Sequence, residues 1–211
     1  MTIDRAATPF VLVAAVPAAV SLWAGPLMLT AALGVLPVLI ALFFRDPDRI
    51  PPADPANILS PADGKVMHAG PARPAEAPPG RWLQVTIFLS PLDVHINRTP
   101  VAGRVTKVTH VPGSFLPAFR HESHRNEHSE IWINHDGVEV VTRQVVGAMA
   151  RRVVCRVHPG DVLGPGERIG LMKFGSRMDV FMPETAEVLV KQGVQVRGGE
   201  TVIARLGAAR S

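Results

Sequence analysis

The sequence predicts a mainly β protein, an antiparallel β-sandwich over residues 46–211, preceded by an apolar helical hairpin over residues 1–45. Three observations lead there. Residues 10–44 contain no Asp, Glu, Lys or Arg; the rest of the chain is a succession of short β-type runs punctuated by Gly and Pro; and one β-turn-β pattern occurs twice.

A membrane-spanning helix needs roughly 20 apolar residues, and the charge-free stretch divides at Gly25-Pro26 into residues 10–24 and 27–44. A tight helical hairpin, or one span with an interfacial segment, fits these lengths. A cleaved signal peptide fits less well, because Asp4 and Arg5 share the leading segment and no small-residue cleavage site precedes a plausible mature start. A buried hairpin in a core would need protein on every side. Beyond it, FRDPDRIPP ends any helix with three prolines, so the boundary falls near residues 45–55.

The β-type runs are WLQVTIFL, GRVTKVTHV, EIWIN, VEVVTRQVV, RRVVCRV, AEVLV and TVIARL, with no long amphipathic helix among them. VHPGDVLGPGERI, from Val157, matches VKQGVQVRGGETV, from Val190, at an offset of 33 residues. Its glycines, six apart and flanked by aliphatics, are similar to the hammerhead turns of lipoyl-type (barrel-sandwich hybrid) folds, where Gly supplies the positive φ of a tight turn. Two copies are too few for a solenoid, so the repeat reads as duplication inside one sandwich.

With 211 residues, the chain holds one ordinary domain plus an appendage and no large multidomain assembly. A net charge of +4 favours weak, salt-sensitive approach to an anionic membrane surface. Nucleic acid is excluded as a partner because no Lys/Arg cluster is interleaved with aromatics. The single cysteine, Cys155, lies in the apolar run VVCRV and permits no disulfide within the chain, in keeping with a cytoplasmic setting.

The most informative segment is GLMKFGSRMDVFMP, residues 170–183. A Gly-Ser pair in a turn can undergo an N-to-O acyl shift, the Ser176 hydroxyl attacking the Gly175 carbonyl, since glycine lets a strained backbone and nucleophile come close. Elimination and hydrolysis then convert the serine into a pyruvoyl group. That ketone condenses with a substrate amine as a Schiff base and acts as the electron sink for loss of CO2. Gly-Ser alone is common and usually marks an ordinary turn, so the surrounding motifs decide.

SPADGKV, residues 60–66, contains a PxDG aspartate at Asp63. LSPLDVHINRTPVAGRV, residues 89–105, resembles an SPxDYHRxHxP block; RNEHSEIWI, residues 125–133, an NER segment; QVVGAMARR, residues 144–152, a QxxVGA strand; and GLMKFGSR a GxFxxGST cleavage site. Together and in this order they resemble the phosphatidylserine decarboxylase family over roughly residues 45–190. Brevity, the apolar N-terminus and FGSR in place of LGST are similar to its short, archaeal-type branch.

The resemblance implies decarboxylation of phosphatidylserine to phosphatidylethanolamine through a covalent pyruvoyl group derived from Ser176. It implies self-cleavage into residues 1–175 and 176–211, two fragments that stay associated, and a catalytic domain on the cytoplasmic face of the cell membrane. It assigns Asp63 to activation of Ser176, against its ordinary role in a Pro-Ala-Asp-Gly turn. It assigns His95 to proton delivery, against a strand histidine bonded to backbone. Arg98 stands where longer relatives have a second histidine, and a fixed cation cannot serve as a base. A strict Asp-His-Ser triad therefore does not transfer, and Arg98 becomes a candidate for a substrate carboxylate or phosphate. In HESHRNEH, residues 121–128, His124 and Asn126 are candidates to line the head-group pocket. That run lacks a metal-binding frame, and no metal is expected. Homo-oligomerisation is left open. The rival classes are a non-catalytic, membrane-tethered lipoyl-like adaptor, which predicts an uncut chain, and a serine hydrolase, for which Ser176 lacks a GxSxG elbow.

Overall fold

A computed structural model describes residues 1–148, 153–173 and 176–207. The chain divides into two compact units, Met1–Asp48 and Arg49–Ser211.

In the first unit, α1 (Thr8–Ala24) and α2 (Leu27–Phe43) form a helical hairpin. Gly25 turns it because a Cβ there would lie 2.6 Å from the Ser21 hydroxyl and 2.9 Å from the Ser21 carbonyl oxygen. Across the turn, the Ser21 and Thr30 hydroxyls are 2.9 Å apart. The other end is closed by two short antiparallel strands, β1 (Thr2–Ile3) and β2 (Arg45–Asp46). The α1 end carries a helix long and apolar enough to cross a membrane, Arg5–Trp23. Trp23, Met28 and Leu27 are largely exposed.

The second unit contains β3 (Asn57–Leu59), β4 (Gly64–Pro71), β5 (Trp82–Leu89), β6 (Ile96–Arg98), β7 (Gly103–Val111), β8 (His128–His135) and β9 (Val138–Val145). These are followed by β10 (Val153–Cys155), β11 (Val162–Leu163), β12 (Arg168–Met172), β13 (Ser176–Pro183), β14 (Glu187–Val188), β15 (Gln195–Val196) and β16 (Val202–Arg205). One eight-stranded antiparallel sheet runs β11-β7-β8-β9-β13-β5-β4-β15. Two three-stranded sheets, β10-β12-β6 and β14-β16-β3, accompany it.

Alternation explains the layering. Val85, Ile87 and Leu89 of β5, Ile131 and Ile133 of β8, and Met178, Val180 and Met182 of β13 meet on one face to form the hydrophobic core. The opposite face presents Thr86, Glu130, Arg143, Arg177 and Asp179, which bond to one another across the strands and, for Arg177 and Asp179, along β13.

The long sheet reads alike from both ends. β11 pairs with β7 at Leu163↔Gly103, and β15 pairs with β4 at Val196↔Gly64. The flanking turns match as well: Gly160 and Gly193 have φ of 101° and 94°, and Gly166 and Gly199 have φ of 66° and 75°. The two halves also cross, with the Leu59 amide donating to the Pro100 carbonyl and the Arg98 amide to the Pro61 carbonyl.

This arrangement corrects the expected sandwich. The two Gly-rich repeats sit at opposite edges of one open, curled sheet, a half-barrel, because their short strands pair with β7 and β4 rather than with each other. The likeness to lipoyl-type hairpins is not carried by this architecture. The strand at the centre of the sheet, β13, is one that the run of β-type segments did not include.

Gly64 is required by its neighbours: its φ is 153°, and a Cβ there would lie 2.2 Å from the Phe88 carbonyl oxygen. Gly64→Ala is expected to destabilise the domain by about 3 kcal/mol, strain and clash acting together. Chemical denaturation checks this, and an unchanged midpoint would contradict it.

Candidate active site

Ser176 opens β13, directly across from Leu89 on β5. By alternation it faces the same side as Met178, into the core, and it is completely buried. Its hydroxyl has no hydrogen-bond partner among the described residues. The other half of the expected scissile pair, Gly175, lies outside the described residues, as do residues 149–152 of the QVVGAMARR segment.

On the opposite face of the same strand, Arg177 is held among buried carboxylates. Its Nε donates to Asp179 at 2.8 Å, one Nη pairs with Glu76, and the other donates to Ser123 at 3.0 Å. Burial alone would lower the basicity of this guanidinium, yet Asp179 and Glu76 together raise it above its ordinary value. Burial likewise works to raise Glu76, but Arg177, Gln84 and Arg73 outweigh it and hold the carboxyl below its ordinary range. Gln84 and Thr86 extend this network to Asp179. The pattern was present in SRMDVFMP, where Arg and Asp two apart on an otherwise apolar strand mark one charged face.

Leu89 leads into the turn that holds His95. The Asp93 carboxylate accepts from the Ser90 amide at 2.7 Å, and the buried His95 ring places Nδ1 2.9 Å from the Asp93 carbonyl oxygen. A ring nitrogen facing a carbonyl must carry the proton, so in the neutral ring Nε2 is the basic nitrogen. The Met172 amide donates to the His95 carbonyl, which ties the end of β12 to the same place.

Asp63 occupies the turn between β3 and β4. Its two oxygens are taken by Arg49 Nη2 and the Gly198 amide, each at 2.8 Å. Burial pushes its carboxyl above the ordinary value of 3.8, and the nearby charge of Asp93 adds to that, while Gly198 and Arg49 oppose it. The Asp63 and Asp93 turns are thus within electrostatic range of each other. The Asp63 carboxylate is engaged with an arginine and a backbone amide rather than with Ser176.

Arg98 is buried beside the repeat turns, its Nη1 donating to the Gly166 carbonyl at 3.1 Å. A Cβ on Gly199 would come within 2.8 Å of the Arg98 side chain, so glycine makes room for it. His124 lies on a 3-10 turn, His121–Arg125. Asn126 serves the backbone around it. The side-chain amide accepts from the Leu116 amide and donates to the carbonyls of Leu116 and Val146, at 2.9, 2.7 and 2.8 Å. It clamps the loop before β8 to the end of β9. Among the described residues, no group of three or more His, Cys, Asp or Glu side chains is arranged to hold a metal.

A family model for phosphatidylserine decarboxylase matches residues 36–204. The chain belongs to the phosphatidylserine decarboxylase family. Relatives named phosphatidylserine decarboxylase proenzyme include one from Chlorobium chlorochromatii, 48% identical over 165 residues that cover 77% of each chain. One from Pelodictyon phaeoclathratiforme is 45% identical and covers 87% of this chain and 86% of its own. One from Salinibacter ruber is 42% identical and covers 90% and 85%. The family match contains the Asp63, His95 and Ser176 positions and begins within α2.

Removing one partner of a buried ion cluster leaves a charge uncompensated. Glu76→Gln is therefore expected to cost about 3 kcal/mol, near the lower bound for such a loss because Asp179 still faces Arg177. The Glu76 carboxyl is held below 4.5 in the folded state, so its contribution is complete above the unfolded value and disappears as pH falls through the folded one. Thermal unfolding against pH should show an acid limb in the parent that is shallower in the variant. Identical limbs would refute the assignment.

Proposed function

We propose that the chain decarboxylates phosphatidylserine to phosphatidylethanolamine and CO2 with a pyruvoyl group made from its own Ser176. One observation carries this reading. A serine hydroxyl is sealed in the interior without a partner among the described residues, at the start of a buried strand, in a family whose relatives are named as proenzymes. An unsatisfied buried polar group costs about 1–3 kcal/mol, and a nucleophile kept from water is a chemistry that such a placement serves.

Self-processing follows from that hydroxyl. Ser176 Oγ attacks the Gly175 carbonyl carbon, the peptide C–N bond breaks, and the amide becomes an ester. Removal of the Ser176 Cα proton then expels Oγ with the acyl group, leaving a carboxylate on residue 175 and a dehydroalanine at 176. Tautomerisation and addition of water release ammonia and leave a ketone. That ketone, once formed, supplies an electron sink for the carboxylate lost from an amine-bearing serine head group.

The protein's own groups handle the protons and the substrate. His95, with Nδ1 held by the Asp93 carbonyl, offers Nε2 for proton transfer. Asp63, bonded to Arg49, acts on this region through its charge rather than as the direct acceptor from Ser176. Arg98 is assigned to the substrate carboxylate or phosphate and His124 to the head group, whereas Asn126 is reassigned to holding its loop. The fragments 1–175 and 176–211 stay together because β13 is bonded on both edges, to β5 and β9.

FGSR supports membership in the archaeal-type branch. The apolar hairpin of residues 1–45 supports a place at the cell membrane with the domain of residues 46–211 on the cytoplasmic side, where a basic chain meets anionic lipid. A diacyl substrate stays in the bilayer, so an enzyme held at the interface need not extract it.

Denaturing mass spectrometry should find two fragments, one ending at Gly175 and one beginning with a pyruvoyl at 176, and Ser176→Ala should remain whole. A Ser176→Ala chain cut like the parent would overturn the serine chemistry. Processing that needs the Asp63 carboxylate should fail on acidification at a pH above that of an ordinary carboxyl, because the raised Asp63 takes up its proton sooner as pH falls. Asp63→Asn should process slowly and without that limb. Lipid vesicles should be turned over far faster than water-soluble serine phosphodiesters, equal rates being the result that counts against lipid specificity.

A further inference from the structure

Besides Ser176, the buried side-chain atoms without a partner among the described residues are Asn97 Nδ2, Gln144 Oε1 and Thr142 Oγ1. Three of the four belong to one neighbourhood. Gln144 on β9 stands directly across from Met178 on β13, and Ser176 precedes Met178 by two residues on the same face. Ser176 and Gln144 are thus diagonal cross-strand neighbours, a relation within the reach of a long side chain. Gln144 Nε2 donates to Asn97 Oδ1 at 2.8 Å, and neither residue is exposed to solvent. Asn97 lies on β6 two residues after His95.

The approach of these amides is built into the backbone. Gly170 on β12 pairs with Asn97, and a Cβ at Gly170 would lie 2.8 Å from Gln144 Nε2 and 2.0 Å from the Val154 carbonyl oxygen. Only a bare position on β12 lets Gln144 reach from the long sheet to β6. The single bond between the amides leaves one acceptor and one donor unspent, an arrangement that burial penalises. A purely structural bridge would be better served by an apolar pair of the same shape.

We infer that Asn97 and Gln144 form a positioning pair for self-processing, Gln144 Oε1 orienting the Ser176 hydroxyl and Asn97 Nδ2 donating to the anionic oxygen that develops as the hydroxyl attacks. The inference rests on the self-cleavage reading above. Gln144 fixes which edge of the Asn97 amide is presented, since its own Nε2 occupies Asn97 Oδ1. Such contacts tighten as the reacting geometry forms, which accounts for a hydroxyl not yet bonded before reaction.

The test follows conversion of the full-length chain into two fragments by denaturing mass spectrometry, with hydroxylamine added in parallel to cut any ester that accumulates. Asn97→Ala should slow conversion about 10²–10³-fold, the usual loss for one such donor. Hydroxylamine should not restore it, because the ester itself fails to form. Gln144→Met keeps the bulk and removes only the orienting amide, and should slow conversion by up to about a hundredfold. Thermal unfolding certifies that each variant is folded, and if Asn97→Ala is not, Gln144→Met decides. Folded variants processed at the parent's rate, or cut by hydroxylamine as readily as the parent, overturn the inference while the parent's own cleavage still upholds the proposed function. A parent that never cleaves overturns both.

Discussion

β13 is hydrogen-bonded along both edges, and the rest of the site depends on it. Its eight residues run between β5 and β9 with seven of them buried. A residue on such a strand has its place fixed by register rather than by loop conformation, the condition under which a reactive group is held most accurately. One face of β13 supplies Met178, Val180 and Met182 to the core, and the other carries Arg177 and Asp179 into a buried ion network. Ser176 therefore stands at the end of an element that neither face allows to shift.

The strand order is also compatible with the proposed break before Ser176. β6 to β12 form one half of the long sheet and its attendant small sheet from a single stretch of chain. The other half is assembled from two stretches, β3 to β5 and β13 to β16. Residue 176 begins the second of these, so no strand of the described structure is divided by a cut there. The Leu59–Pro100 and Arg98–Pro61 backbone bonds bind the halves together within residues 1–175.

Much of the strand content was legible because antiparallel strands alternate apolar and polar residues. WLQVTIFL and GRVTKVTHV coincide with β5 and β7. β13 was not picked out, since SRMDVFMP breaks its alternation at Phe181 and places its charges on a face that is itself interior. Ser176, His95 and Asp63 were picked out by their motifs, but their partners were not. No pattern in SPADGKV announces that Arg49 will take the carboxylate. Asn126 looked like a head-group contact because it sits among histidines, whereas its amide is spent on Leu116 and Val146. Asn97 and Gln144 are 47 positions apart and meet only because Gly170 offers no side chain between them.

The clasp between β1 and β2 has a topological result. It brings the beginning of the chain beside Arg45 and Asp46, after both helices have run out and back. A loop whose two ends are fastened together enters a bilayer and returns, so the number of crossings is even, whether two or none. Were the hairpin to enter a bilayer, Met1 and the chain leaving Asp48 would lie in the same aqueous compartment.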